Sequence, residues 1–254
     1  MASTAKLLAI ITTTGSNMID THSHVLPGID DGSKSFKESL DILRGLSEQG
    51  ITELFCTPHY IAETKHTSPR KKNEKLLNEL QEKADEQGID IKLHVGNEIY
   101  IDRDIAKFLR TKKISPLSGQ GKHLLIELPM SGEFAQYEDI FKDLQQKGWT
   151  VILAHPERYH TTQKDYGIIK NLHNYGILFQ CNLGSFIGQY GKHAQKTVRK
   201  IAKDNLIFCL GTDIHHRRDY NEITKAIKKL NKYYSAEELN KVLSENAQTI
   251  LRMI

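Results

Sequence analysis

Residues 148–158 read GWTVILAHPER, and this stretch sets the architecture. Gly148 follows an amphipathic segment ending in Gln-Lys, the place where a glycine supplies the left-handed residue that closes a helix. Thr150–Ala154 is then an unbroken apolar run. Continuous rather than alternating hydrophobicity marks a strand buried on both faces, as in a parallel sheet covered by helices. His155 and Arg158 stand directly after the run, at what would be the carboxyl end of that strand.

The same grammar recurs along the chain. Apolar runs occur at Met18–Thr21, Glu53–Thr57, Lys92–Gly96, His123–Leu128, Ile177–Asn182 and Leu206–Gly211. Between them lie helix candidates, several closed by glycine (Gly50, Gly88, Gly176). In SFKESLDILRGLSEQG, Ser35 with Glu38 three residues on forms a capping box, and Phe36, Leu40, Leu43 and Leu46 share one stripe. The tail SAEELNKVLSENAQTILRMI reads as one final helix with Ser235 as N-cap and Glu238 at N3. Seven strands alternating with helices predict an α/β fold, a distorted (β/α)7 barrel of TIM type, one unit short of eight. A doubly wound open sheet is the alternative. No composition break divides residues 18–254, which read as a single domain; residues 1–17 read as a leader outside it. Its KLLAII run is too short for a secretory core, and Met18 directly precedes the first strand.

Composition excludes several functions. The chain has 254 residues, 39% hydrophobic and 26% charged, with a net charge of +4. Lys-rich segments such as RKKNEKLLNELQEK alternate with Glu and read as solvated helix faces, so no nucleic-acid partner is expected. No run approaches the roughly 20 apolar residues that span a bilayer, so direct membrane insertion is not expected. Three cysteines, Cys56, Cys181 and Cys209, sit singly in apolar runs and make no disulfide framework. They point to a reducing, cytoplasmic compartment.

Residues after the strands converge on one chemistry. The first strand end gives His22, His24 and Asp31, the second His59, the third Glu98, the fourth Glu127, the fifth His155 and the seventh Asp213 and His215. The sixth, ending at Cys181-Asn182, gives neither imidazole nor carboxylate. Singly these residues have ordinary explanations: a surface His-x-His pair, a loop histidine after Pro58, a helix cap at Glu127 or Asp213. Together they occupy the rim where parallel α/β folds bind ligands. Imidazole and carboxylate suit manganese, iron and zinc, whereas a soft site would use thiolate. Residues i and i+2 of a strand face one way, so His22 with His24, and Asp213 with His215, are expected to grip shared ions. Nine ligands exceed what one ion takes and suit two or three cations, an arrangement used for phosphoester hydrolysis. His94, His123, His160, His173, His193 and His216 fall outside the pattern and read as structural or supporting.

Other routes to phosphoryl chemistry are absent. A cysteine phosphatase needs Arg six residues after its Cys, but those positions hold Ala62, Ile187 and His215. No GxxxxGK[ST] loop is present. Asp102-Arg103-Asp104 matches an aspartyl-phosphate pair only by letter, since it opens a helix.

With these residues assembled, the sequence resembles the PHP (polymerase and histidinol phosphatase) superfamily. It is most similar to the manganese-dependent tyrosine-protein phosphatases of bacterial capsule and exopolysaccharide loci. The motifs MIDTHSHVLPGIDDG, TPHY, GNE, IELP, AHPERY and GTDIHH carry the resemblance and span the chain after the leader. The histidinol-phosphatase branch usually has histidine where Asp31 stands. The resemblance implies a seven-unit distorted barrel and three metals. One would take His22, His24, Glu98 and Asp213; a second Glu98, Glu127 and His155; a third Asp31, His59 and His215. It implies that Arg158 contacts the substrate phosphate, with a second arginine, Arg217 or Arg218, doing the same. Asp31 rather than Asp30 is the expected ligand, with Asp30 supporting the loop. A hydroxide bridging two cations would attack phosphorus in line. The implied partner is the phosphotyrosine-bearing tail of a bacterial tyrosine kinase. Tyr60, Tyr100 and Tyr159 are candidates to stack on the phosphotyrosine ring or simply to pack. Rival readings are a small-molecule phosphomonoesterase acting on a compound such as histidinol phosphate, a phosphodiesterase or nuclease, and a metal-binding regulatory module without turnover.

Overall fold

The computed structural model describes residues 17–216 and 222–252. Its strands are β1 (Met18–Ser23), β2 (Ile51–Cys56), β3 (His59–Tyr60), β4 (Lys92–Val95), β5 (Glu98–Tyr100), β6 (His123–Glu127), β7 (Thr150–Ala154), β8 (Leu178–Asn182) and β9 (Cys209–Gly211). Every ladder pairing is parallel, in the orders β1-β2-β4 and β3-β5-β6-β7-β8-β9. All seven apolar runs are strands. Short breaks at Thr57-Pro58 and Gly96-Asn97 separate β3 from β2 and β5 from β4, so nine strands fill seven barrel positions.

The ring closes at its carboxyl rim. The segment after β9 returns to β1 through a bridge between Ser23 and Ile214. His24 N donates to Ile214 O at 3.0 Å, and Asp213 N donates to His22 O at 2.8 Å. This seam excludes the open doubly wound sheet and yields the distorted barrel. It also needs Gly211: a Cβ there would lie 2.6 Å from the Cβ of His22, so only glycine lets β9 approach β1 this closely.

The helices are α1 (Phe36–Glu48), α2 (Arg70–Glu86), α3 (Ile105–Arg110), α4 (Glu138–Gln146), α5 (His160–Lys164), α6 (Gly167–Asn174), α7 (Gly191–Lys203), α8 (Ile223–Leu230), α9 (Ala236–Asn240) and α10 (Asn246–Arg252). Ser35 caps α1 as expected, accepting from Glu38 N at 3.2 Å. The Glu38 carboxylate accepts from Lys34 N at 2.9 Å, one residue before the cap, so the box is displaced. At α9 the box is complete, with Ser235 and Glu238 exchanging both bonds. The tail is not the single helix its pattern suggests: a π-helical turn at Lys241–Glu245 separates α9 from α10.

Two apolar layers hold the barrel. Ile19, Phe55, Leu125, Ile152 and Cys209, from five strands, pack with Ala247 and Ile250 of α10 in one inner cluster. Alternate residues such as Leu124, Ile126, Val151 and Leu153 join the larger layer beneath the helices. At roughly 1.5–3 kcal/mol per buried aliphatic side chain, these layers fix the strand ends. None of the helices among the described residues is long and apolar enough to cross a membrane.

Candidate metal centre

β1 delivers the first two imidazoles as the i, i+2 rule requires. His22 and His24 are fully buried and their Nε2 atoms lie 3.1 Å apart. Each is fixed from behind. His22 Nδ1 meets Gln180 Oε1 at 2.8 Å, and His24 Nδ1 meets Asp30 Oδ2 at 2.8 Å. An oxygen that can only accept forces the proton onto Nδ1 and leaves the Nε2 lone pair facing inward. Asp30 also accepts from His59 N and Gly32 N, so it ties the whole loop to His24.

The seventh strand end reaches the same point differently. Asp213 and His215 do not lie on an extended strand, because β9 stops at Gly211 and Asp213 adopts a left-handed φ of 54°. His155, after β7, is also left-handed at φ 34°. Such conformations in non-glycine residues cost on the order of 1 kcal/mol or more and gather at functional sites. Both re-aim a side chain toward the centre. Asp213 Oδ1 lies 3.5 Å from His22 Nε2, 3.4 Å from His24 Nε2 and 3.6 Å from His215 Nδ1.

Glu98 occupies the middle. Its Oε2 lies 3.2 Å from His22 Nε2, 3.3 Å from His24 Nε2 and 3.0 Å from His59 Nδ1. This buried oxygen nevertheless has no hydrogen-bond partner, and neither has His59 Nδ1. Buried polar atoms are rarely left so. Three imidazole nitrogens converge on a carboxylate oxygen without hydrogen-bonding geometry, which is how ligands around cations are arranged. A cation held about 2.1 Å from each donor sets neighbouring donors roughly 3.0–3.4 Å apart, close to these spacings. His155 Nε2 approaches Glu98 Oε1 at 2.9 Å and Glu127 Oε1 at 3.7 Å. On the rim, Asp31 Oδ1 lies 3.5 Å from both His59 Nε2 and His215 Nε2.

Four groups have ligand atoms close enough for a shared ion: His24/Asp31/His59/His215, His22/Glu98/His155, His22/His24/Asp213 and His59/Glu98/Glu127. All nine expected residues are therefore brought together. The partition is more interleaved than the resemblance implies, since His24 reaches the rim group, His22 reaches Glu98 with His155, and Glu127 groups with His59.

The electrostatics fit a cation-binding rim. Burial opposes protonation of His22, but Glu98 and Asp213 outweigh it and lift its pKa to about 9. Burial likewise opposes charge on Glu98 and Asp213, yet His22 with the surrounding imidazoles holds both carboxyls well below the ordinary range. Glu127 is pushed up by burial and by Glu98 beside it. Burial and the Arg158 charge lower His155 to about 4, so its ring is neutral. Crowded carboxylates that repel one another, with imidazoles that must lose a proton to ligate, are the state that divalent cations relieve.

Arg158 lies at the edge of the cluster. Its Nη1 donates to Asp213 Oδ2 at 2.7 Å, and its guanidinium sits 4.4 Å from the centre of the Tyr190 ring. Arg217 and Arg218 lie outside the described residues. Of the candidate tyrosines, Tyr159 is a packing residue, fully buried, donating to Ala154 O and accepting from Leu128 N. Tyr60 is also buried, against Phe108. Tyr100 is half-buried beside Glu127, its backbone register partner.

Four participants escape the sequence pattern. Gln180 supports His22 and also donates to Asn182 Oδ1 at 3.0 Å. Asn182 in turn donates to Asp213 Oδ2 at 2.8 Å. The sixth strand end, which supplies neither imidazole nor carboxylate, thus supplies the amides that aim His22 and Asp213. A Gln-x-Asn pair at buried strand positions is the available signal, because uncharged amides there must be hydrogen-bonded. Tyr190 backs Arg158, and the His66 ring lies edge-on to His59 at 6.2 Å.

The family described as capsular polysaccharide synthesis, CpsB/CapC, matches residues 18–252. The chain belongs to that family. It is 32% identical to the tyrosine-protein phosphatase YwqE of Bacillus subtilis over 243 residues, covering 92% of each chain. It is 26% identical over 243 residues to the tyrosine-protein phosphatase CpsB of Streptococcus agalactiae, covering 92% of this chain and 98% of that protein. Its fold is similar to the crystal structures of YwqE and of Streptococcus pneumoniae CpsB, described as metal-dependent tyrosine phosphatases. The match has a TM-score of 0.85 at 30% identity and covers 92% of this chain and 94% of the other. A histidinol phosphate phosphatase from Lactococcus lactis, at 15% identity and TM-score 0.57 over 85% of this chain and 94% of that one, shares the fold.

Proposed function

We infer that this chain is a metal-dependent tyrosine-protein phosphatase that hydrolyses phosphotyrosine monoesters in capsular or exopolysaccharide synthesis. One observation carries the reading. The unpartnered Glu98 Oε2 is met by His22, His24 and His59 nitrogens at 3.0–3.3 Å, inside a rim of nine ligands. The activities named for the relatives agree with it.

The nine donors would take three divalent cations, manganese by preference, with iron and zinc compatible with the same donors. His22, His24 and Asp213 would hold one, Glu98 with His155 and Glu127 a second, and Asp31, His59 and His215 a third. When bound, such cations make water a nucleophile at neutral pH and neutralise phosphoryl charge. The chain supplies the positioning. Asp213 and Tyr190 hold the Arg158 guanidinium in a fixed plane, and its free edge takes phosphoryl oxygens as a fork. Electrostatic holding of this kind accounts for most catalysis of phosphoryl transfer. A tyrosine phenolate leaves readily, so no buried acid need deliver a proton to it. The substrate is the phosphotyrosine-bearing tail of a bacterial tyrosine kinase, met in the cytoplasm.

The test is turnover of a phosphotyrosine peptide against histidinol phosphate, with protein stripped of metal and reloaded with manganese, iron or zinc. The reading predicts that manganese restores hydrolysis of the peptide and that histidinol phosphate is a poor substrate. Preference for histidinol phosphate would transfer the chain to the small-molecule class.

A further inference from the structure

Outside the metal centre, a basic groove lies on the outer wall between α3 and α4. It encloses about 480 Å3 and is lined by Arg103, Lys107, Arg110 and Lys147, with Trp149 and Leu109 on its apolar side. Lys122 stands over the Trp149 ring at 5.1 Å and adds a fifth positive charge. Two local acids offset part of this: Asp143 pairs with Lys147, and Asp104 with Lys107. Arg103 and Arg110 are exposed and form no ion pair among the described residues. Solvated basic faces elsewhere, such as the Lys-rich α2, run beside their own glutamates; Arg70 there is paired with Glu74 and Lys83 with Glu79.

The position of the groove matters as much as its charge. Arg103 lies three residues beyond Tyr100, which ends β5 and is the register partner of Glu127. The groove therefore starts at the rim that carries the ligands. Its other end, Trp149, directly precedes β7 at Thr150 and so lies at the amino end of the barrel wall. At roughly 3.3 Å per residue, that wall matches about five residues of extended chain. A polypeptide leaving the metal centre on this side meets first Arg103, then the α3 cations, then an aromatic wall.

We propose that this groove receives an acidic stretch flanking the phosphotyrosine, so that the enzyme reads Asp/Glu-rich sequence next to its target residue. This rests on the phosphatase reading above and adds a specificity surface to it. The unpaired guanidiniums at both ends take carboxylates as forks, and Trp149 offers a face for the intervening side chains. A concave, one-sided groove that begins at the active rim fits a chain better than a flat anionic membrane.

The experiment uses the full chain, native and as Arg103→Glu/Arg110→Glu and Arg103→Lys/Arg110→Lys. Substrates are p-nitrophenyl phosphate, a phosphotyrosine peptide with neutral flanks, and peptides with five acidic residues on one side or the other. Rim charges of this kind act through encounter and binding. The Glu pair should therefore raise KM for one acidic peptide roughly tenfold, leave its kcat unchanged and leave the other substrates alone. The Lys pair, which keeps the charge but loses the fork, should fall between native and the Glu pair on that peptide. Equal loss on the neutral peptide, or no acidic preference in the native protein, overturns the proposal. So does a Glu pair that loses binding to phosphatidylglycerol vesicles while keeping the acidic peptide. If the native protein turns over no phosphate ester, the phosphatase reading falls by itself. Anisotropy of a labelled, unphosphorylated acidic peptide then decides the groove, by binding that the Glu pair abolishes or by none.

Discussion

The two ends of the candidate metal centre are built from the same residue types but held very differently. At the deep end, the side chains of His22, Glu98, His155 and Asp213 are 0%, 1%, 2% and 3% exposed. His22 and Asp213 there are each anchored by an amide from β8. At the rim, the side chains of Asp31, His59 and His215 are 56%, 14% and 24% exposed. His215 is supported by the carbonyl of Asp213 at 2.8 Å, while Asp31 depends on the imidazoles it faces. Ligands packed in fixed orientations bind a cation without paying to order themselves, whereas an exposed carboxylate must be immobilised first. The deep end should therefore hold its metal tightly, and the rim should exchange.

Each prediction perturbs one side of that contrast. Asp213→Ala removes the carboxylate that faces His22, His24 and His215, and should lower phosphatase activity by roughly 10^3-fold or more, with loss of bound metal by elemental analysis. Asp31→Ala should instead drop a single equivalent of metal and leave the deep complement in place; simultaneous loss of all metal would merge the two ends into one unit. Gln180→Leu leaves every ligand present but frees the His22 ring. Metal affinity in a chelator competition should weaken about 10- to 100-fold, while Asp30→Asn, which can still offer an oxygen to His24, should weaken it less. The smallest effect belongs to the thiols. Cys56, Cys181 and Cys209 are fully buried, and burial pushes the Cys209 thiol up to about 12. A raised thiol pKa means less thiolate at any given pH, so iodoacetamide at pH 8 should leave activity unchanged.

The sequence made the ligands legible because strand ends in parallel barrels face one rim, and because His22-Ser23-His24 obeys a period of two. The same rule misassigned the geometry of Asp213 and His215, which depend on a left-handed turn that no residue type there announces. The seven strands were readable from unbroken apolar runs such as TVILA. The closing seam was not, since it depends on a cross-ring contact between Ser23 and Ile214. Nor was the role of Gln180 and Asn182, because an amide carries no charge signature and its function appears only when its partner is known. The π turn in the tail was hidden by an amphipathic pattern that continues through it.

We infer that the convergence on Glu98 exists to hold catalytic cations. The most direct test is a chelator titration in which bound metal and phosphotyrosine hydrolysis are measured on the same samples. The account predicts that exposed rim metal leaves first, that activity disappears by the time the deep metal is lost, and that added manganese restores both. Full activity in protein shown to contain no metal would contradict it.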